Sequence, residues 1–173
     1  MFSLGDRVVY PGHGVAQISR VVEKIIAGGI VRFFELEFIN KGMTILVPTN
    51  NLSSIGLRRL SSTESIDSAF AVLARPAVVC KDSLLSNWNK RSKNYQCKLR
   101  TGDLIEICGI YRDLNHLAAR KELSFGEKNL LQQTEALLVE EISLVKDVEA
   151  EKTMAHLRSL FLGAMAASRE HSI

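Results

Sequence analysis

The chain has 173 residues, 46% of them hydrophobic and 24% charged, which leaves room for one large or two small globular domains and excludes compositional disorder. No apolar run approaches the roughly 20 residues that span a bilayer. The opening MFSLGDRVVY carries an acid at position 6 and no long apolar stretch, which argues against a secretory leader and leaves the cytoplasm as the expected compartment.

From Leu4 to about Leu57 the texture is β. Arg7–Tyr10 is a short β-branched and aromatic run, and Pro11-Gly12-His13-Gly14 reads as a turn. Val15–Ile26 continues as a second strand, Ala27-Gly28-Gly29 is a hairpin signal, and Val31–Phe38 forms a third. Asn40-Lys41-Gly42 turns the chain into a fourth strand, Met43–Val47, which Pro48 ends. A fifth short strand is expected around Ser54–Leu57. Five short strands with tight turns in under 60 residues fit a small, strongly bent barrel of the SH3 or Tudor type. Such a barrel has few core positions but does have sheet edges, which recruit strands from other proteins.

At Ser61 the periodicity changes to helical. Ser61-Ser62-Thr63-Glu64 reads as a capping box opening a helix with Ile66, Phe70 and Leu73 on one stripe, and Arg75-Pro76 ends it. A second helix is expected from Asp82 or Ser83, and a third over Leu104–Ala119 after Thr101-Gly102-Asp103. Ser124-Phe125-Gly126-Glu127 is a second S-x-x-E and opens a long helix with Leu130, Leu131, Thr134, Leu137, Leu138, Ile142 and Val145 on its stripe. Met154, Leu157, Leu160, Phe161 and Ala164 mark a last helix, with fraying expected from Ala166. The fold class expected is α+β: a five-stranded barrel over 1–60 and an all-α domain of four or five helices over 61–173.

The residues do not assemble into an enzyme. His13, His116, His156 and His171 form no H-E-x-x-H pair, and no nucleophile elbow, Walker loop or G-x-G-x-x-G is present. The adjacent Glu140 and Glu141 point about 100° apart on a helix and read as a solvated face rather than an acid/base pair. Cys80, Cys97 and Cys108 are odd in number and make no C-x-x-C, so buried free thiols are expected rather than a disulfide framework or a zinc site. His13 reads as a turn residue bonded to backbone. No cofactor and no metal are expected.

The charge points elsewhere. Net charge is only +3, but residues 75–100 hold seven Lys/Arg against one acid, while residues 124–173 hold five bases and eight acids. The only tryptophan, Trp88, lies inside that basic stretch, in SLLSNWNKRSKNYQCKLR over Ser83–Arg100. At 100° per residue Leu84, Trp88, Tyr95 and Leu99 share one side and Lys90, Lys93 and Arg100 the other. Two readings stay open from the residues alone. In one, Trp88 packs in a core beneath a solvated basic face, and the protein is an adaptor that binds only other proteins. In the other, the indole faces out as a wedge among phosphate-binding cations.

The opening FSLGDRVVYPGHGVAQI (Phe2–Ile18), with Val47-Pro48-Thr49-Asn50-Asn51 and Gly56-Leu57-Arg58, resembles the CarD family of bacterial transcription regulators, also called CdnL. Asn87-Trp88-Asn89-Lys90-Arg91, Tyr111-Arg112-Asp113-Leu114 and Leu123-Ser124-Phe125-Gly126-Glu127-Lys128 extend the resemblance to about Glu151. The resemblance implies a Tudor-like N-terminal domain that docks on the RNA polymerase β subunit, with Lys24, Ile45, Leu46 and Val47 facing the polymerase. It implies a helical domain that touches promoter DNA at the upstream edge of the transcription bubble, and a protein that is nucleoid-associated, monomeric when bound, and without membrane or cofactor. Carried over, Trp88 is the minor-groove wedge, Lys90, Arg91 and Lys93 are backbone contacts, and Lys128 is a further DNA contact. Family members often hold arginine where this chain has Lys24 and Leu46, so the polymerase contact is expected to be weaker or re-tuned.

Overall fold

The computed structural model describes residues 2–75 and 88–170. The chain divides into two compact units, Met1–Leu60 and Ser61–Ile173.

The first unit is a five-stranded antiparallel sheet. Strands β1 (Arg7–Tyr10), β2 (Gly14–Ile26), β3 (Gly29–Phe38), β4 (Thr44–Pro48) and β5 (Arg58–Arg59) lie in the order β4-β3-β2-β1-β5. Its core is Val8, Ala16, Ile18, Leu36, Phe38, Val47 and Leu57, with Phe2, Tyr10, Phe34 and Ile45 packed around it. Full burial of each such aliphatic or aromatic side chain contributes about 1.5–3 kcal/mol, so a core of this size is adequate for a small domain without surplus. The register fixes which residues reach that core: Val8 opposes Ala16, and Ala16 opposes Phe38. A bulge at Ser19 shifts the β2–β3 register between Ile18 and Arg20. Beyond it the hairpin runs past the core, and its tip pairs the exposed Ile25 (80%) with Ile30 (71%). Ala27 and Gly28 both take positive φ, 49° and 80°, as a two-residue turn matched to the twist of the strands requires.

The fifth strand lies slightly later than the sequence suggests. Leu52–Ile55 is a helical turn, α1, stopped by Gly56 in the left-handed region at φ 77°, and β5 follows at Arg58–Arg59 against β1. Glycine at that position reverses the chain without a Cβ penalty, which delivers Arg58 rather than Ser54 to the sheet. His13 stays in its turn: Nδ1–H donates to the Pro11 carbonyl at 3.1 Å and the ring meets Tyr10 edge-on.

The second unit contains α2 (Thr63–Ala74), α3 (Trp88–Thr101), α4 (Leu104–Ala118), α5 (Phe125–Lys146) and α6 (Ala150–Glu170). Helices α2 and α5 both pack on α4, α6 packs on α2 and α5, and α3 packs on α4. Ile66, Leu73, Tyr95, Leu99, Ile107, Tyr111, Leu114, Leu138, Ile142 and Leu157 meet in one core. The cap of α2 is Ser62, whose Oγ accepts from the Ser65 N–H, and not Ser61 as the S-x-x-E pattern suggests. Ser61 is used differently: its N–H and Oγ both donate to the Glu141 carboxylate, at 2.9 and 2.7 Å. Those two bonds let Glu141, 2% exposed, be buried rather than lie on the solvated face expected for it, and its neighbour Glu140, 8% exposed, is buried as well. The residue before Pro76, Arg75, is extended at ψ 142°, as a following proline requires. Buried Thr134 satisfies its hydroxyl by donating to the Leu130 and Leu131 carbonyls. Helix α6 continues to Glu170, past the point where fraying was expected. Cys108 is a buried free thiol pushed up to about 12 chiefly by burial, whereas Cys97 is exposed on α3. Cys80 and the expected helix start at Asp82 or Ser83 lie outside the described residues.

Candidate nucleic-acid interface

Helix α3 is built around an inward stripe at positions 88, 91, 95 and 99. Tyr95 and Leu99 are core residues, and Trp88, the first residue of the helix, packs partly buried against the same core. Arg91 shares this stripe, one turn after Trp88 and one before Tyr95. Arg91 is 8% exposed; its guanidinium lies 5.8 Å from the Trp88 ring centroid and donates through Nη2 to Glu127 Oε1 at 2.6 Å. Arg91 was expected on the DNA backbone; the structure places it inside, because the i+3 position from Trp88 falls on the buried face. Lys90 and Lys93 lie on the opposite side and are exposed.

The start of α5 supplies the other half of the arrangement. Ser124 is its N-cap, and a complete capping box forms: the Glu127 N–H donates to Ser124 Oγ, and the Ser124 N–H donates to Glu127 Oε2 at 2.8 Å. Lys121 adds a second cation–carboxylate contact, 3.3 Å to Glu127. Glu127, 1% exposed, is therefore the hub of the region. Burial pushes its carboxyl up, but the bonds from the Ser124 backbone, Arg91, the Ser124 hydroxyl and Lys121 outweigh it and hold the group at about 2. The folded value is depressed, so the contribution is present above the unfolded value near 4.5 and is lost as pH falls toward 2. A shift of that size corresponds to about 3 kcal/mol. Helix content followed through thermal melts should show the helical unit losing most of this between pH 4.5 and 2, with little change between pH 6 and 8.

Three more residues stand at this helix end. Lys128 is exposed and its Nζ lies 3.1 Å from Glu122, so part of its charge is already met by a surface carboxylate. Phe125, the first residue of α5, is 80% exposed; in the sequence it stands only as the second letter of a capping motif. Gly126, the third letter, touches Trp88. No periodicity rule points to either; Gly126 matters through Trp88, which lies across from it in space.

The sheet edge is a separate feature of the first unit. Strand β4 pairs with β3 on one side, and no further strand covers its other side among the described residues. Phe38 N–H donates to the Met43 carbonyl and Thr49 N–H to the Arg32 carbonyl, so by alternation Ile45 and Val47 bond inward. Thr44 and Leu46 then present N–H and C=O outward, and Pro48 ends the edge without a donor. Val47 is 1% exposed, Ile45 packs on the core, and the backbones of both already bond to β3, so those two can reach a partner only after displacement. Leu46 is half-buried, and Lys24 is exposed on the projecting β2–β3 hairpin. Among the described residues no cluster of three or more His, Cys, Asp or Glu is placed to hold a metal ion, and no helix is long and apolar enough to cross a membrane.

Comparison with known proteins covers both units. Residues 2–61 match the family described as CarD-like/TRCF RID domain, and residues 68–158 match that described as CarD, C-terminal domain. YdeB of Bacillus subtilis (strain 168), a candidate transcription factor, is 26% identical over 148 residues, covering 86% of this chain and 94% of its own. The solution NMR structure of the 72-residue N-terminal domain of Myxococcus xanthus CarD aligns at 34% identity and a TM-score of 0.30, covering 34% of this chain and 79% of that domain.

Proposed function

We propose, from the premise that this chain belongs to the CarD family of bacterial transcription regulators, that it links RNA polymerase to promoter DNA and stabilises the open complex. The first unit docks on the polymerase β subunit by adding a strand to the exposed edge of β4, with Thr44 and Leu46 supplying main-chain bonds and Lys24 a flanking charge. The second unit presents Trp88 to the minor groove at the upstream bubble edge, with Lys90 and Lys93 on the phosphates. The observation that carries this reading is Trp88 at the first turn of α3, anchored but not enclosed, with two exposed lysines within five residues.

The mechanism is a population shift. Phosphate contacts hold any duplex, and an apolar wedge costs a few kcal/mol of unstacking on intact duplex but little at a junction already melted. The protein therefore binds the open promoter better than the closed one, and it shifts the equilibrium by that difference in affinity alone; each factor of ten corresponds to about 1.4 kcal/mol. Arg91 serves this surface indirectly, as the partner of Glu127 beneath it. Polymerase that has melted a promoter with an unstable bubble should hold it open measurably longer when the full chain is added. An unaltered lifetime at saturating protein would count against the reading.

Lys90→Glu with Lys93→Glu provides a separate check on the phosphate contacts. DNA binding should weaken by similar factors on unrelated sequences, and the slope of log affinity against log salt should fall by about 0.9 for each phosphate no longer neutralised. A sequence-selective loss with an unchanged slope would place these lysines elsewhere.

A further inference from the structure

We propose that Gly126 and the Arg91–Glu127 ion pair form a seat that holds the Trp88 indole in its working orientation, making these three positioning residues for the wedge. The proposal rests on the reading of Trp88 given above. A Cβ built on Gly126 would stand 3.0 Å from Trp88 Cζ2, 3.2 Å from Cε2 and 3.3 Å from Nε1. The Nε1–Cζ2 edge of the indole thus lies directly on the backbone of α5. The other glycines inside helices, Gly109 and Gly163, would meet nothing within 4 Å. Gly126 has no positive φ to justify it, and glycine inside a helix is otherwise unfavourable. Its service is to leave room for the ring.

The seat has a second support. Arg91 reaches the same ring from within α3, 5.8 Å from its centroid, and is tied through Nη2 to Glu127, the residue immediately after Gly126. Glu127 is in turn fixed by its capping box with Ser124. The edge contact and the cation on the ring therefore converge from two consecutive residues whose backbone is itself pinned. A buried guanidinium can stack on an aromatic only where its charge is met, and Glu127 meets it. Among the described residues Arg91 Nε and Nη1 have no hydrogen-bond partner, so this one bond and the ring contact define where the guanidinium sits. With the ring ordered during folding, its side-chain entropy is not lost again at the DNA, which is the general benefit of preorganisation.

Gly126→Ala tests the seat, because alanine suits the helix and adds only the methyl group that the indole excludes. The full chain should keep its helix content and a cooperative melt. Trp88 is the only tryptophan, so its emission maximum and its quenching by acrylamide report the ring directly, and both should change. With polymerase on a promoter with an unstable bubble, the open-complex lifetime should drop toward that of Trp88→Ala. Adding Gly126→Ala to Trp88→Ala should change nothing further. Wild-type emission and quenching in Gly126→Ala would overturn the proposal. So would a wild-type lifetime in Gly126→Ala while Trp88→Ala shortens it. If Trp88→Ala itself keeps the wild-type lifetime, the wedge reading fails, and the fluorescence of the free protein still decides whether the seat exists.

Discussion

Glu127→Ala is expected to destabilise the helical unit by about 3–5 kcal/mol, the range found when one partner of a buried ion pair is removed. The substitution strands the guanidinium of Arg91, a residue only 8% exposed, and opens the capping box at the start of the 22-residue helix α5. At about 4 °C per kcal/mol for a unit of this size, the melting temperature should fall by roughly 12–20 °C. Arg91→Met should cost less, because the Glu127 carboxylate left behind still accepts from the Ser124 N–H and from Lys121. Combining Arg91→Met with Glu127→Gln should recover part of the loss of the worse single variant, since neither buried charge then remains. Differential scanning calorimetry on the full chain reads all three. Equal melting temperatures for Glu127→Ala and wild type would mean that the pair bears no weight.

The second large effect is functional. Trp88→Ala should leave polymerase binding unchanged, because the indole belongs to the second unit and the β4 edge to the first. On a promoter with an unstable bubble it should shorten the open-complex lifetime about tenfold or more, since a wedge contribution of only about 1.4 kcal/mol already corresponds to that factor. Trp88→Phe retains an apolar face and should fall between the two. A wild-type lifetime with Trp88→Ala, at matched occupancy of polymerase, would leave the indole as packing alone and favour an adaptor that binds only proteins.

The two units differ in how openly the sequence declares them. The strands were legible because alternation and turn residues coincide: Gly28 sits where the hairpin needs positive φ, and Pro48 where the edge strand stops. The fifth strand was displaced because a short segment with Leu52 and Ile55 does not reveal whether it pairs or coils; the left-handed Gly56 decides that. Ser124 and Glu127 were legible as a capping box, since both partners lie within one turn. Ser61 was misplaced by one residue because its true partner, Glu141, is 80 positions away and no local pattern encodes it. Arg91 is the instructive case. Its position three residues after Trp88 already placed it on the inward face, but a cation in a basic run reads as surface until a buried carboxylate is found for it. Glu127 carried that information, and it was visible only as half of a cap.

Trp88 itself fell between the two orientations left open by its spacing. It packs on the core and against Gly126, yet it is not enclosed. Anchoring at one edge is compatible with offering the rest of the ring to a ligand, which is why periodicity alone could not separate packing from contact. The cations sort in the same way. Lys90 and Lys93 are exposed, Lys128 shares its charge with Glu122, and Arg91 is interior.

Footprinting of a polymerase–promoter complex, with and without the full chain, tests most directly whether one protein joins polymerase to DNA. The predicted result is added protection confined to the upstream edge of the melted region, dependent on polymerase and weakened by Lys90→Glu with Lys93→Glu. Identical footprints with and without saturating protein would contradict it.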